Sequence, residues 1–328
     1  MSLVVGGLKI AAGLVVVPLV IALGLIASQK PQTVLRSERG LDFSGQLSKT
    51  SEDLPLSPVP MRDGWGMATR KLDGPAQSPL VILIHGSGWH GGQFSGLARK
   101  LSAKATILVP DLRGHGATPE RRGDVDYIGQ MEDDLADLIL ASRLPGQKVV
   151  LLGHSSGGGL VIRFAGGTHR NLIDGAVLLA PFVHHTAATT RKNSGGWAHP
   201  LLRRIIGLSM LNTFRIHLLD HLTAIQFAMP QVVLDGPLGN TATTHYSWRL
   251  NVGFAPRSNY KADIAKLPRF LLVAGAEDEA FFAKEYEPLF SGQTSEGRYQ
   301  IVPGVGHLDI VDAAPTTEAI VSFIDELN

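Results

Sequence analysis

Read as a pattern of apolar and polar positions, the chain falls into three regimes. The first is one unbroken block. From Ile10 to Gln29 no residue is charged and nearly all are Ile, Leu, Val, Ala or Gly, with Lys9 before the block and Lys30 after it. About 20 such residues match one helical crossing of a hydrocarbon core, and a bilayer helix tolerates the glycines and Pro18 inside the run. No polar face interrupts it, which argues against a helix of a soluble core. The pattern predicts a single-pass N-terminal transmembrane anchor over residues 1–30. The alternative is a cleaved signal peptide, leaving a secreted or periplasmic protein. Its apolar region is usually about 7–15 residues and ends at a small-x-small site, whereas this run is longer and Leu25-Ile26-Ala27 puts a bulky residue at the junction. Lys9 on one side and Lys30, Arg36 and Arg39 on the other leave the orientation open.

The second regime, residues 31–60, is polar, with Pro and Ser between Leu54 and Pro60, and reads as a tether. Arg62-Asp63-Gly64-Trp65-Gly66 reads as a hairpin turn with Met67 to Leu72 as the returning strand. A regular rhythm follows in residues 61–328. Short uninterrupted apolar runs end in glycine-rich turns: Leu80 to His85, Ala105 to Pro110, Val149 to Gly153, Gly175 to Ala180 and Phe270 to Ala274. Runs of this kind fit strands buried on both faces. Helical patterns such as Tyr127 to Ser142 lie between them, and the alternation implies a parallel sheet covered on both sides. From about 182 to 259 the rhythm stops. Leu201 to Leu211 and Phe214 to Met229 carry amphipathic helical patterns, so this interval is predicted to be an inserted helical cap, being too long for a plain connection.

Composition narrows the chemistry. Lys+Arg number 30 against 29 Asp+Glu, a formal charge of +1 with no basic stripe, so no nucleic-acid partner is expected. There is no cysteine, which removes disulfides, thiolate nucleophiles and Cys-ligated metal sites. The 12 histidines form no H-E-x-x-H pattern, so neither a metal nor another cofactor is expected.

The chemistry-bearing residues cluster at strand ends. Gly153-His154-Ser155-Ser156-Gly157 is a G-x-S-x-G sequence placed between a strand and a helix. There the glycines clear space for a sharply turned nucleophile, and the helix N-terminus supplies free N–H groups and partial positive charge. Ser155 is the candidate nucleophile. His85-Gly86-Ser87-Gly88 ends the strand at Ile84, where a loop N–H can bind an oxyanion beside that of the residue after the nucleophile. Ser87 and Ser156 are the expected donors, with Gly88 the alternative to Ser87. A serine hydroxyl needs an imidazole to take its proton and a carboxylate to hold that imidazole's tautomer. Asp278, in the turn after Phe270 to Ala274, and His307, in the loop after Val302, fill these roles in the order Ser, Asp, His. Glu277 and Glu279 are rival acids. The other histidines, including His85 and His154 in turns and His184, His185 and His245 in the cap, are read as structural or exposed.

On His85-Gly86, Asp111-Leu-Arg-Gly114-His115-Gly116, Gly153 to Gly157, Gly275-Ala-Glu-Asp278 and Gly306-His307, the chain resembles the α/β-hydrolase superfamily from about residue 60 onward. The Asp-x-x-Gly-x-Gly segment is similar to that of the monoacylglycerol lipase, lysophospholipase and serine aminopeptidase-like branch. The resemblance implies an α/β fold with a mostly parallel eight-stranded sheet, helices on both faces and a cap after strand six. It implies ester hydrolysis through an acyl-serine, on a lipid-like substrate of monoacylglycerol or lysophospholipid type. Ser155, where related dehalogenases and epoxide hydrolases carry aspartate, disfavours those chemistries. A carbon–carbon bond hydrolase stays open because of His-Gly-Ser-Gly. An aminopeptidase-like activity stays open too, though no acidic pocket for a free amine stands out in the cap. A non-catalytic, membrane-tethered interaction protein is the alternative of another class. Leu201, Leu202, Ile205, Ile206, Leu208, Met210 and Leu211 are expected either to roof an apolar pocket or to pack the cap on the sheet.

Overall fold

The structure, a computed structural model, describes residues 16–33, 40–47 and 54–327. Its first strands, β1 (Leu56–Pro60) and β2 (Gly66–Leu72), pair antiparallel across the expected turn. The Asp63 carboxylate accepts the Trp65 N–H at 3.1 Å and closes that turn. Strands β3 (Leu80–Ile84), β4 (Thr106–Pro110), β5 (Val149–His154) and β6 (Gly175–Leu179) follow the apolar runs. Three short strands come next, β7 (Ala198–Pro200), β8 (Thr223–Phe227) and β9 (His245–Ser247), and then β10 (Phe270–Gly275) and β11 (Gly297–Val302). The large sheet has eight strands in the order β1-β2-β4-β3-β5-β6-β10-β11. Only the β1–β2 and β2–β4 pairings are antiparallel.

Every residue of β3, β5, β6 and β10 is buried, which is why these runs show no alternation. Helices Ser95–Leu101 and Ala314–Leu327 contact each other, and Gln130–Ser142, Ser156–Gly166, Trp248–Phe254 and Tyr260–Ile264 form a second contacting group. Sheet and helices share one core in which Phe94, Phe164, Phe270, Phe290 and Phe323 are almost fully buried. Full burial of such a side chain stabilises by roughly 1.5–3 kcal/mol. The Asp111 carboxylate accepts from Arg70 Nη1 and from the Gly91 N–H, both at 2.8 Å, tying the loop after β4 to β2.

The insertion after β6 is a cap of mixed type. β7, β8 and β9 form a small antiparallel sheet, joined by the helix Leu202–Thr213. This corrects the purely helical cap expected from sequence. Phe214 to Met229 is not a helix: Arg215 takes a left-handed φ of 59° that stops the preceding one, and Thr223–Phe227 pairs as a strand.

The N-terminal segment is described only from residue 16. Residues 1–15 of the expected anchor lie outside the described residues. Residues 16–27 are helical, and those twelve residues rise about 18 Å. No helix among the described residues is long and apolar enough to cross a membrane. One side of the helix packs on the cap, burying Ala22 and Ile26 against Leu208 and Leu211. Gln29 Oε1 accepts the Arg203 N–H at 2.8 Å at the start of the cap helix. Gln32 and Gln226 bond reciprocally, backbone to side chain, at 2.9 and 2.7 Å. Nor is 31–60 a plain tether throughout, because Leu41 and Phe43 are buried in the main core and residues 56–60 form β1.

Candidate active site

The site lies where β3, β5, β6 and β10 end. Ser155 stands between β5 and the helix Ser156–Gly166 with φ 53° and ψ −121°. A non-glycine residue in so sparsely populated a region costs about 1–3 kcal/mol. Three backbone bonds fix it: its N–H donates to Leu179 O at 2.9 Å, and its carbonyl accepts from Phe182 N at 2.9 Å and Gly159 N at 3.1 Å. The turn also needs Gly157, where a Cβ would sit 2.2 Å from Ile84 O and 2.6 Å from His85 O.

Three of the residues singled out from sequence meet here. Ser155 Oγ lies 3.0 Å from His307 Nε2, and His307 Nδ1 lies 2.8 Å from Asp278 Oδ2. The other carboxylate oxygen, Oδ1, accepts the N–H groups of Ala280 at 2.8 Å and Phe281 at 2.7 Å. Burial works against ionisation of Asp278, but the neighbouring His307 charge and hydrogen bond and these two N–H donors outweigh it. The carboxyl is held below its ordinary range. Asp278 and His307 are each only 1% exposed, so the pair is screened from water.

The rival acids separate. Glu277 is exposed, and Glu279 Oε2 accepts the backbone N–H of His307 at 2.7 Å, positioning the loop rather than the ring. His154 is structural: its Nε2–H donates to His307 O at 2.9 Å while Nδ1 faces Gln93 Nε2 at 3.4 Å. His85 Nε2 accepts the Leu112 N–H at 3.1 Å, so its Nδ1–H points to Gly86 O. Burial pushes His85 down to about 3, which keeps it neutral.

Ser87 and Ser156 line the same cavity as Ser155, together with Trp197, Phe227 and Phe281. The Gly88 N–H is not free for an oxyanion, since it donates to Tyr246 Oη at 2.7 Å. The cavity is narrow, about 70 Å³, and none of its lining residues is a carboxylate. Its roof differs from expectation. Leu201 to Leu211 contribute none of the lining; Leu202 and Ile206 are exposed, while Leu208 and Leu211 face the N-terminal helix. The roof comes from Trp197, Ile225, Phe227 and Tyr246 on and beside the small cap sheet. A second, smaller recess also reaches Ser155 and is lined in part by Leu41 and Phe43. The Phe43 ring packs 5.2 Å from Trp89 and 5.6 Å from Trp197, centroid to centroid. Sequence reasoning missed Phe43, Trp197 and Tyr246, because nothing local marks a side chain whose partners lie far along the chain.

A hydrolase with a buried Ser–His–Asp constellation at the strand ends of such a sheet is of the α/β-hydrolase type. A family model for the serine aminopeptidases, S33, matches residues 75–312, more than half of the chain, and the protein belongs to that family. It is 28% identical over 188 residues to an uncharacterized protein of Mycobacterium tuberculosis, a match covering 52% of this chain and 54% of the relative. The chain thus spans about half the length of the curated relatives it matches. Among solved structures it is similar to a monoacylglycerol lipase of Paleococcus ferrophilus, with TM-score 0.60 and 21% identity over 80% of this chain and 99% of that one. It is similar also to a bacterial membrane phospholipase A, with TM-score 0.59 and 18% identity over 99% of this chain and 97% of that one. At these identities the likeness is one of fold.

Proposed function

We propose that the protein is a serine hydrolase of carboxylic esters working through an acyl-serine. The observation that carries this reading is the continuous hydrogen-bonded chain from Ser155 Oγ through His307 to Asp278, opening on an apolar cavity. Ser155 Oγ attacks the ester carbonyl carbon as its proton passes to His307 Nε2. The oxyanion that forms is held by the N–H groups of Ser87 and Ser156. His307 then gives its proton to the departing alkoxide, and the acyl group stays on Ser155. A water molecule, deprotonated by His307, releases the acid and restores the serine. Preorganised N–H donors facing the new charge are the largest expected contribution to rate.

A lipid-like acyl group suits the aromatic and aliphatic lining, and both similar solved structures are named for enzymes acting on lipids. The absence of a carboxylate from the lining residues counts against an aminopeptidase reading, which needs a partner for a free amine. In the same reading the apolar run 10–29 holds the enzyme at a membrane, supported by the exposure of Val16, Val17, Val20 and Leu23. Recovery of the full chain in the soluble fraction after alkaline carbonate washing of membranes would remove this part.

The decisive test is hydrolysis of p-nitrophenyl esters of increasing chain length by the full chain and by its Ser155→Ala variant. Turnover is expected to fall by at least about 10³-fold in the variant. Equal turnover by both, or failure of a fluorophosphonate to label Ser155, would overturn the reading.

A further inference from the structure

Gly88 is gripped by the cap from both sides. Its carbonyl accepts the Thr243 N–H at 3.0 Å and its N–H donates to Tyr246 Oη at 2.7 Å. It holds a left-handed φ of 74°, and a Cβ would meet Trp197 Cζ2 at 3.0 Å and Thr243 O at 3.2 Å. Trp197 Nε1–H also reaches Ser87 Oγ at 3.3 Å. The oxyanion loop is therefore shaped by residues more than a hundred positions away, in an insertion that is not part of the main sheet.

The polarity of this network is fixed at both ends. The Gly88 N–H can only donate, so Tyr246 Oη accepts it. His115 Nδ1 lies 3.0 Å from Arg113 O, which can only accept, so Nδ1 carries the proton. His115 Nε2 is then the acceptor, and it takes the Tyr246 hydroxyl proton at 2.6 Å. The sequence of donors is Gly88 N–H to Tyr246 O–H to His115, and His115 N–H to Arg113 O, without a misfit. Burial pushes His115 well below its ordinary value and keeps the ring neutral, as the network requires. Tyr246 and His115 are 2% and 4% exposed, so neither Gly88 nor His115 gains a water in place of the hydroxyl without rearrangement.

We infer that Tyr246 and His115 are positioning residues for the reaction: through the Gly88 N–H they fix the Ser87–Gly88 peptide, and with it the Ser87 N–H that receives the oxyanion. The inference rests on the ester-hydrolase reading above. It assigns the cap a part in transition-state stabilisation beyond roofing the cavity. Docking of β9 onto the loop after β3 completes the donor pair.

The test uses Tyr246→Phe in the full chain. Because the loop is loosened rather than deleted, kcat is expected to fall about 10- to 100-fold with KM changed by less than about twofold. The affinity of an alkyl boronic acid, which forms a charged tetrahedral adduct on Ser155, is expected to fall by the same factor. Binding of the intact ester to Ser155→Ala is expected to be unaffected when Tyr246→Phe is added. A second pair guards against a folding defect. His115→Gln presents an amide oxygen to Tyr246 and an amide N–H to Arg113 O, and is expected to keep most of kcat; His115→Leu is expected to behave like Tyr246→Phe. Wild-type kcat in Tyr246→Phe, or a rise in KM with unchanged boronate affinity, overturns the inference while a dead Ser155→Ala leaves the hydrolase reading standing. If Tyr246→Phe does not fold, equal kcat for His115→Gln and His115→Leu overturns it. Equal activity of wild type and Ser155→Ala removes the reading beneath it.

Discussion

Replacing Asp278 with Asn tests the site most sharply, because the structure dictates how the amide must sit. Oδ1 accepts two backbone N–H groups, from Ala280 at 2.8 Å and Phe281 at 2.7 Å. An amide NH₂ placed there would face two donors, so the Asn carbonyl must take that position. Its NH₂ is then forced into the place of Oδ2, 2.8 Å from His307 Nδ1. A donor at that point makes Nδ1 the acceptor and moves the imidazole proton to Nε2, where it faces Ser155 Oγ instead of accepting from it. The base is blocked by the wrong tautomer, with shape and backbone bonds kept. Such a change costs about 10⁴ in kcat, or about 5.4 kcal/mol of transition-state stabilisation. The assay is kcat on a p-nitrophenyl ester at pH 7, with far-ultraviolet circular dichroism confirming the fold. A folded variant retaining more than about a hundredth of wild-type kcat would refute the argument that Asp278 sets the tautomer.

Three further outcomes follow from the geometry. His85 is held near 3 in the fold by burial and titrates near 6.5 when unfolded, so below about pH 6.5 only the unfolded chain binds its proton. Stability should fall as pH is lowered from about 6.5 toward 3, by up to ~1.4 kcal/mol per unit for this group, and urea denaturation should show a shallower fall in His85→Gln; equal slopes would count against it. Gly157→Ala puts a methyl 2.2 Å from Ile84 O, a backbone atom that cannot step aside; it should lower the thermal midpoint, at a cost of about 1–3 kcal/mol or more, and a midpoint equal to wild type would show that the elbow yields. Gly207→Ala places a Cβ 2.5 Å from Ala22 O and 2.7 Å from Ile26 Cγ1, so it should pry the N-terminal helix off the cap. Limited proteolysis should then cut within residues 16–33 faster than in wild type, with ester turnover retained; an unchanged cleavage pattern would refute the contact.

Much of this was legible because it is written locally. The strands β3, β5, β6 and β10 are short apolar runs whose two buried faces leave no other reading. Ser155 is marked by its glycines and its place between strand and helix, and Asp278 and His307 by turns at strand ends. What escaped depends on contacts between distant residues. Thr223–Phe227 follows a helix whose pattern seemed to continue, and only pairing with β7 and β9 makes it a strand. Phe43 lies in a polar stretch and is buried by Trp89 and Trp197. Leu208 and Leu211 were expected over the substrate or the sheet, but their apolar stripe meets the N-terminal helix, a choice of partner that periodicity does not encode. Tyr246 carries no motif, and its importance comes from the two groups its hydroxyl joins.

The docking of residues 16–32 on the cap has a mechanical consequence. The helix grips Leu208 and Leu211, Gln29 holds the first turn of the cap helix, and Gln32 is laced to Gln226 on β8. A pull on the chain ahead of residue 16 is therefore delivered to the roof over Ser155 before it reaches the central sheet. The helix and the roof form one lever arm, and the load path from residue 16 runs through the part of the molecule that lines the cavity at Ser155.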